Sequence, residues 1–173
     1  MVRRLASAFP GVARILGAAG VVGTVRRASL ADARASAFPY EEVVASEDLL
    51  DAVGTQRFDV VVNPVGGRVR TDSLQVMSPM GRMLLVGNAS GDGQHTVPTN
   101  ALWRGSLAML GFSVGSYLPS RPEQAVTAAQ GALKAIGQGL VDIRTQTLPL
   151  AEAAEAHRRI DNGSVGGRIL LTP

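Results

Sequence analysis

Short apolar runs alternate with stretches of helical spacing along this chain. In residues 5–18, "LASAFPGVARILGA", Leu5, Val12, Ile15 and Leu16 recur at near-helical intervals, with Pro10-Gly11 as a kink or a late start. "GVVGTV" reads as a short buried strand, and a helix is expected through "SLADARASAF" with Ser29 as N-cap. "EEVV" is a second strand, followed by a helix over "SEDLLDAV" capped by Ser46. "FDVVVNPV" is a third, residues 69–79 look helical, "GRMLLVGN" is a fourth and "SLAMLGFSV" a fifth. A long amphipathic helix, "RPEQAVTAAQGALKAIGQG", begins on a proline suited to its first turn.

The strands are continuous Val/Leu runs rather than alternating ones, which indicates cover on both faces, as in a parallel sheet wound by crossover helices. The tail breaks the pattern. "DIRTQTLPL" alternates apolar and polar residues, "AEAAEAHRRIDNG" is a helix ending at Asn162-Gly163, and "GGRILLTP" is a final strand. These pieces suggest a hairpin-like appendix. No internal repeat or low-complexity linker is visible.

Composition narrows the class. The 173 residues, 46% hydrophobic, suffice for one domain with a core, and 20 glycines among alanines and valines fit a layered α/β protein. Cysteine is absent, which excludes disulfides and thiolate zinc ligands. The basic start resembles a signal peptide in outline, but Arg14 interrupts the apolar run, so secretion is not expected. No segment approaches the roughly 20 apolar residues that cross a bilayer. A soluble, cytoplasmic protein without membrane contact is the expectation. The net charge of +3 comes from 16 arginines and the single Lys134, scattered rather than gathered into a stripe, so nucleic-acid binding is not expected either.

Several segments carry a family likeness: "GVVGTV", "FDVVVNPVGG", "SPMGRMLLVGNASG", "LGFSVGSYLPSRP", "LPLAEAAEAHRRI" and "GGRILLTP", with Gly66, Gly67, Gly81, Gly87, Gly91, Gly111 and Gly115 in place. In order and spacing the chain resembles the zinc-free medium-chain dehydrogenase/reductases, and within them the NADPH:quinone oxidoreductases. The resemblance covers nearly the whole chain. It implies an α/β fold, a Rossmann-type doubly wound parallel sheet, in residues 1–138. Residues 139–173 would be a segment that in relatives packs on a separate, preceding catalytic domain.

That domain, the usual first strand and the glycine-rich loop are the parts the resemblance does not find here. The loop's glycines would fall on or near Arg3, Arg4 and Ala6, where side chains block the approach of a pyrophosphate to a helix N-terminus. Losing two or three charge-assisted hydrogen bonds of about 1.5–3 kcal/mol each lowers affinity by about 10² to 10⁶. NADPH is therefore the implied cofactor, bound weakly or not at all. The first strand lies mid-sheet in the order 3-2-1-4-5-6, so the gap must close by pairing "GVVGTV" with "FDVVVNPV" or by borrowing a strand. Met1 is also open to being an internal start.

By the same resemblance, Asn63, Val65 and Gly66 line the cofactor groove, Gly87, Asn88 and Ala89 lie beside the nicotinamide ribose, and Phe112, Ser113 and Val114 face the nicotinamide ring. For residues 63–67 the plain alternative is a strand followed by a glycine turn. Arg26 and Arg27, after the first strand of this chain, favour the 2′-phosphate of NADP over a bare ribose, with solvated surface arginines as the alternative. Relatives often carry a tyrosine for that phosphate near what is here Ala45-Ser46, and its absence weakens the preference. Arg168 is a further candidate for the phosphate end, and Tyr117 and Trp103 for the border of a substrate cleft.

No catalytic constellation or metal site is expected. His95 and His157 have no acidic partner at metal-ligand spacing and read as surface or helix-face residues. "GNASGDG" lacks the strand-elbow-helix pattern that would make Ser90 a nucleophile. In the family the cofactor carries the hydride to a quinone or activated alkene. Two functions remain. One is the nucleotide-binding portion of an NADPH-dependent quinone or enoyl oxidoreductase, inactive unless a separate chain brings the catalytic domain. The other is a non-catalytic remnant or self-associating module. In either case a homodimer is expected through the edge strand near residues 106–115, whose Leu107, Met109, Leu110 and Phe112 carry no charge to deter pairing.

Overall fold

The computed structural model describes residues 9–35, 40–141, 145–162, 165 and 167–173. In chain order its first elements are α1 (Phe9–Ile15), β1 (Val22–Val25), α2 (Leu30–Arg34), β2 (Glu42–Ala45), α3 (Leu49–Val53), β3 (Phe58–Asn63), α4 (Gly67–Gln75) and β4 (Met77–Leu85). Then come α5 (Thr99–Gly105), β5 (Ala108–Gly111), α6 (Val114–Ser120), α7 (Pro122–Gly137), β6 (Thr145–Pro149), α8 (Ala153–Asp161) and β7 (Arg168–Thr172). Short 3-10 turns at Arg27–Ser29, Ser46–Asp48 and Leu150–Glu152 lead into α2, α3 and α8. Ser29 stands at the N-cap of α2 as expected, whereas Asp48 rather than Ser46 precedes α3.

Every described strand pair is parallel. β1 pairs with β2, β3-β4-β5 form a three-stranded sheet, and β6 pairs with β7. Parallel pairing with intervening helices is the Rossmann-type α/β arrangement that the uninterrupted Val/Leu runs imply. Two expectations need correction. The tail is not a hairpin: β6 and β7 run the same way, so α8 is a crossover, as parallel neighbours require. Nor does β1 pair with β3: among the described residues β1 has β2 alone and β3 has β4 alone as ladder partner. That leaves one edge of each strand open, and Val60 on β3 stays 60% exposed.

α5 and α6 are helices that the apolar pattern does not announce. Leu102 and Trp103 are the only large apolar residues of α5, and α6 holds Pro119 inside it, both of which blur a helical pattern. β4 starts before the expected Gly81. Pro79 and the left-handed Met80 (φ 65°) interrupt its apolar run and shift the β3–β4 register between Phe58 and Val60, so Met77 pairs with Phe58 ahead of the recognisable stretch.

Two apolar clusters hold the frame. Val44, Leu49, Val53 and Val76 are buried together, with Val22, Leu50 and Phe58 packed against them, so β1 and β2 meet the start of β3 through α3. Phe58 N–H donates to Val76 O at 2.9 Å, which fixes the chain leaving α4 beside the start of β3. The second cluster, Leu74, Met77 and Met83, gathers Val61, Leu85, Leu102, Leu107 and Met109 from the larger sheet, α5 and the turn after it. α1 meets the chain after α7: a Cβ at Gly11 would lie 1.9 Å from Leu140 O, so glycine there permits the contact. Val12 and Ile15 on α1, Leu16 just after it, and Val126, Leu133 and Ile136 of α7 remain exposed. No helix among the described residues is long and apolar enough to cross a membrane.

Met83 is fully buried at the centre of the larger sheet, on β4, so Met83→Ala removes packing from its core. A loss of about 2–5 kcal/mol in urea unfolding is expected, with the unfolding slope unchanged.

Candidate functional site at the carboxyl ends of the larger sheet

β3, β4 and β5 are parallel, so their carboxyl ends at Asn63, Leu85 and Gly111 emerge along one border of the sheet. Asn63 is buried, 2% exposed, and its side chain turns back on the chain that follows. Its Oδ1 accepts from the N–H of Val65 at 3.1 Å and of Gly66 at 2.8 Å. This Asx-type turn ends the strand and brings Gly66 and Gly67, both with positive φ (78° and 54°), to the start of α4. Glycine takes that conformation without steric cost.

The end of β4 is laced to this turn. Val86 N–H donates to Asn63 O at 3.1 Å, Ala89 N–H to Pro64 O at 3.1 Å and Ser90 N–H to Val65 O at 2.7 Å. Close approach is possible because side chains are missing where they would collide. A Cβ on Gly87 would lie 2.9 Å from Pro64 O, and one on Gly66 would lie 1.9 Å from Asn88 Oδ1. Phe112 N–H donates to Leu85 O at 2.9 Å and draws in the third turn. Beyond it, Tyr117 N–H donates to Ser113 O at 2.8 Å, and the Phe112 and Tyr117 rings lie 5.3 Å apart at 51°. Phe112, Val114 and Tyr117 are exposed and present an apolar lip, whereas Trp103, also exposed, lies towards the amino end of β5, where its carbonyl accepts from Ser106 N–H at 3.2 Å.

Asn63, Val65, Gly66, Gly87, Asn88 and Ala89 are thus assembled as one unit, with Phe112, Ser113 and Val114 attached through Leu85. Arg70 joins this unit although its sequence context does not single it out. Its Nη2 donates to Gly87 O at 3.4 Å across the two turns, while its Nε is buried without a partner. Its one cue is its place one helical turn after Gly66. His95 also departs from expectation: its Nδ1 lies 3.6 Å from Asp92 Oδ2, three residues earlier, within a loop tightened by Asp92 N–H to Ser90 Oγ at 3.2 Å.

Arg26 and Arg27 sit apart, at the end of β1. Arg26 is extended and exposed. Arg27 is not a solvated, unpaired cation. Its backbone N–H is shared by Glu47 Oε1 and Oε2, 3.2 Å from each, and its guanidinium is paired with Asp48. Hydrogen bonds from the Glu47 and Arg27 backbone amides hold the Glu47 carboxyl below the usual range. Glu47 and Asp48 follow β2, the parallel neighbour of β1, and parallel neighbours bring their carboxyl ends side by side. Arg168 opens β7 opposite Thr145. The positions expected for a glycine-rich loop, Arg3, Arg4 and Ala6, lie outside the described residues.

Asn63→Ala would leave the Val65 and Gly66 amides without their acceptor. It is expected to cost about 2–4 kcal/mol in unfolding free energy and to speed hydrogen exchange at those two amides, with the core of the β3–β4 ladder still protected.

Comparison with known proteins agrees with this frame. A family model described as zinc-binding dehydrogenase matches residues 18–171. No curated protein matches the chain. Among solved structures, AibC is similar at 26% identity and TM-score 0.73, over 96% of this chain and 45% of that one. A quinone oxidoreductase of Pseudomonas syringae pv. Tomato DC3000 is similar at 24% identity and TM-score 0.71, over 96% and 53%. An NAD-dependent alcohol dehydrogenase is similar at 23% identity and TM-score 0.71, over 94% and 46%. The chain spans about half the length of these proteins. The family's description names zinc, but the chain has no cysteine, and among the described residues no three of His, Asp and Glu converge, so the residues present do not fit a zinc centre. With its parallel α/β frame and a family match running almost end to end, the chain belongs to the zinc-binding dehydrogenase family of medium-chain dehydrogenase/reductases and corresponds to their Rossmann-type nucleotide-binding half.

Proposed function

We propose that the chain is the nucleotide-binding portion of an NADPH-dependent oxidoreductase of the cytoplasm that reduces a quinone or an activated alkene, and that it is inactive by itself. The observation that carries this reading is the junction of three carboxyl-end turns, cleared of side chains at Gly66 and Gly87 and bordered by Phe112 and Val114. A crevice at the carboxyl ends of parallel strands is where open α/β sheets take their ligands. Reduced nicotinamide supplies a hydride when bound. The chain's own residues supply position and shelter. Asn63 fixes the first turn, Gly66 and Gly87 let the first two turns pack against one another to form the floor, and Phe112 and Val114 flank Ser113 as an apolar wall that shelters the ring. Arg26 stands ready for a 2′-phosphate. The similar quinone oxidoreductase supports the substrate class.

Inactivity of the isolated chain rests on what such a site needs opposite it. The apolar lip formed by Phe112, Val114 and Tyr117 is open to solvent, so a substrate has one wall only. In this reading residues 1–138 form the nucleotide-binding unit, and residues 139–173 are a segment that packs on a substrate-facing domain. Calorimetry is expected to show NADPH binding weaker than micromolar and a quinone assay no turnover; tight saturable binding with turnover overturns the proposal. Replacing Arg26 and Arg27 together by alanine is expected to abolish any preference for NADPH over NADH without altering the thermal unfolding midpoint.

A second reading, self-association as a module, is favoured by one feature. β5 pairs only with β4 among the described strands, and Leu110 and Phe112 are exposed on and just beyond it. An uncharged open edge invites β-addition by a second copy. Light scattering at micromolar concentration is expected to give a dimer, and Leu110→Lys to shift it to monomer. A monomer for the unaltered chain rules the interface out.

A further inference from the structure

We propose that Glu47 and Asp48 set the chain's discrimination between dinucleotides, by holding Arg27 away from a 2′-phosphate and leaving Arg26 to meet it. This rests on the reading that a dinucleotide's adenosine end lies at the carboxyl end of β1. Val25 and Ala45 are register partners at the ends of β1 and β2, so residues 26–27 and 46–48 leave the sheet side by side. A phosphate bound there would draw on two groups of Arg27, its backbone N–H and its guanidinium. Both are occupied. Both carboxylate oxygens of Glu47 lie 3.2 Å from the amide nitrogen, and Asp48 Oδ1 accepts from Nη2. Ser46 Oγ donates to Glu47 Oε2 at 3.1 Å and helps to hold that carboxylate in place.

The charge balance agrees with the geometry. Two arginines, Arg26 and Arg27, stand beside two carboxylates, Glu47 and Asp48, so these four residues offer an incoming phosphate no net positive charge. A neutral ribose is indifferent to that balance, and its hydroxyl can donate to Glu47. A phosphate must approach Glu47 and Asp48 as like charges and compete with them for Arg27. The pair is solvent-exposed, with side chains of Arg27 and Asp48 at 63% and 43%, so it is weak enough to be displaced. The acids therefore moderate the preference for a 2′-phosphate without abolishing it.

The test is titration calorimetry of the whole chain with 5′-AMP and 2′,5′-ADP, nucleotides that differ by the phosphate in question. Glu47→Gln with Asp48→Asn is expected to strengthen 2′,5′-ADP binding about tenfold and to change 5′-AMP binding less than about twofold. Adding Arg27→Ala to that variant is expected to remove most of the gain in the ratio of the two affinities, which distinguishes release of Arg27 from a general change of charge. The Glu47→Gln side chain keeps an oxygen for the Arg27 amide, and each single variant, expected at about threefold, serves if the double variant does not fold. An unchanged ratio in the acid variants, or a gain that persists in full without Arg27, overturns the inference while leaving the dinucleotide site intact. Failure of both nucleotides to bind any variant overturns the dinucleotide reading and this inference with it.

Discussion

One buried amide oxygen governs the geometry of the site. Asn63 Oδ1 accepts two backbone N–H groups that would otherwise lack partners as the chain leaves β3, and it does so from a position almost closed to solvent. Unpaired donors in that setting cost about 1–3 kcal/mol each, so the side chain decides the path of the backbone. That path in turn places Pro64 O and Val65 O where Ala89 and Ser90 donate to them. The end of β4 is held by the turn that Asn63 shapes, and the exit of β5 is held to β4 through Phe112 N–H and Leu85 O. Three strands thereby share one border.

Glycine enters this arrangement as clearance. Gly66 and Gly67 follow the Asn63 turn with positive φ, and at Gly66 a Cβ would meet the Asn88 side chain. Asn88 Oδ1 instead accepts from Ser90 Oγ at 3.3 Å, and Arg70 reaches across to Gly87 O. The two turns thus contact one another through backbone and short polar groups, which leaves the site polar at its base and apolar at its lip. Such a surface suits a ligand with a sugar at one end and a flat ring at the other.

The alternation of elements was legible because the parallel strands carry uninterrupted apolar runs, and "FDVVVN" and "GRMLLVGN" are long enough to stand out, although β3 itself is buried only at Asn63. The turn residues were legible as well, because a strand running into Asn63, Gly66 and Gly67 marks a sharp, glycine-dependent exit. What stayed hidden depends on partners distant in sequence. Arg27 looks free until β1 and β2 are set side by side and Glu47 and Asp48 come to meet it. The direction of β7 is not written in one dimension, where an alternating strand, a helix and another strand satisfy a hairpin-like packing and a parallel crossover equally. β4 reads short because Pro79 and Met80 break its pattern without ending its ladder.

Part of the apolar surface left in solvent follows open strand edges and α1. Val60 lies on β3, Val12 and Ile15 on α1 with Leu16 just after it, Leu110 and Phe112 on and just beyond β5, and Leu170 and Leu171 on β7. Single exposed apolar side chains are ordinary on any protein, but these cluster on strands that lack a second neighbour among the described residues and on a helix set beside the chain that follows α7. A strand edge carries unpaired donors and acceptors as well as side chains, so cover there satisfies hydrogen bonds and buries area in one event. The larger sheet retains its own buried core around Met83, and the Asn63 turn draws on none of these open edges. The site's frame is therefore set within the chain and does not depend on the strand edges that stand open among the described residues.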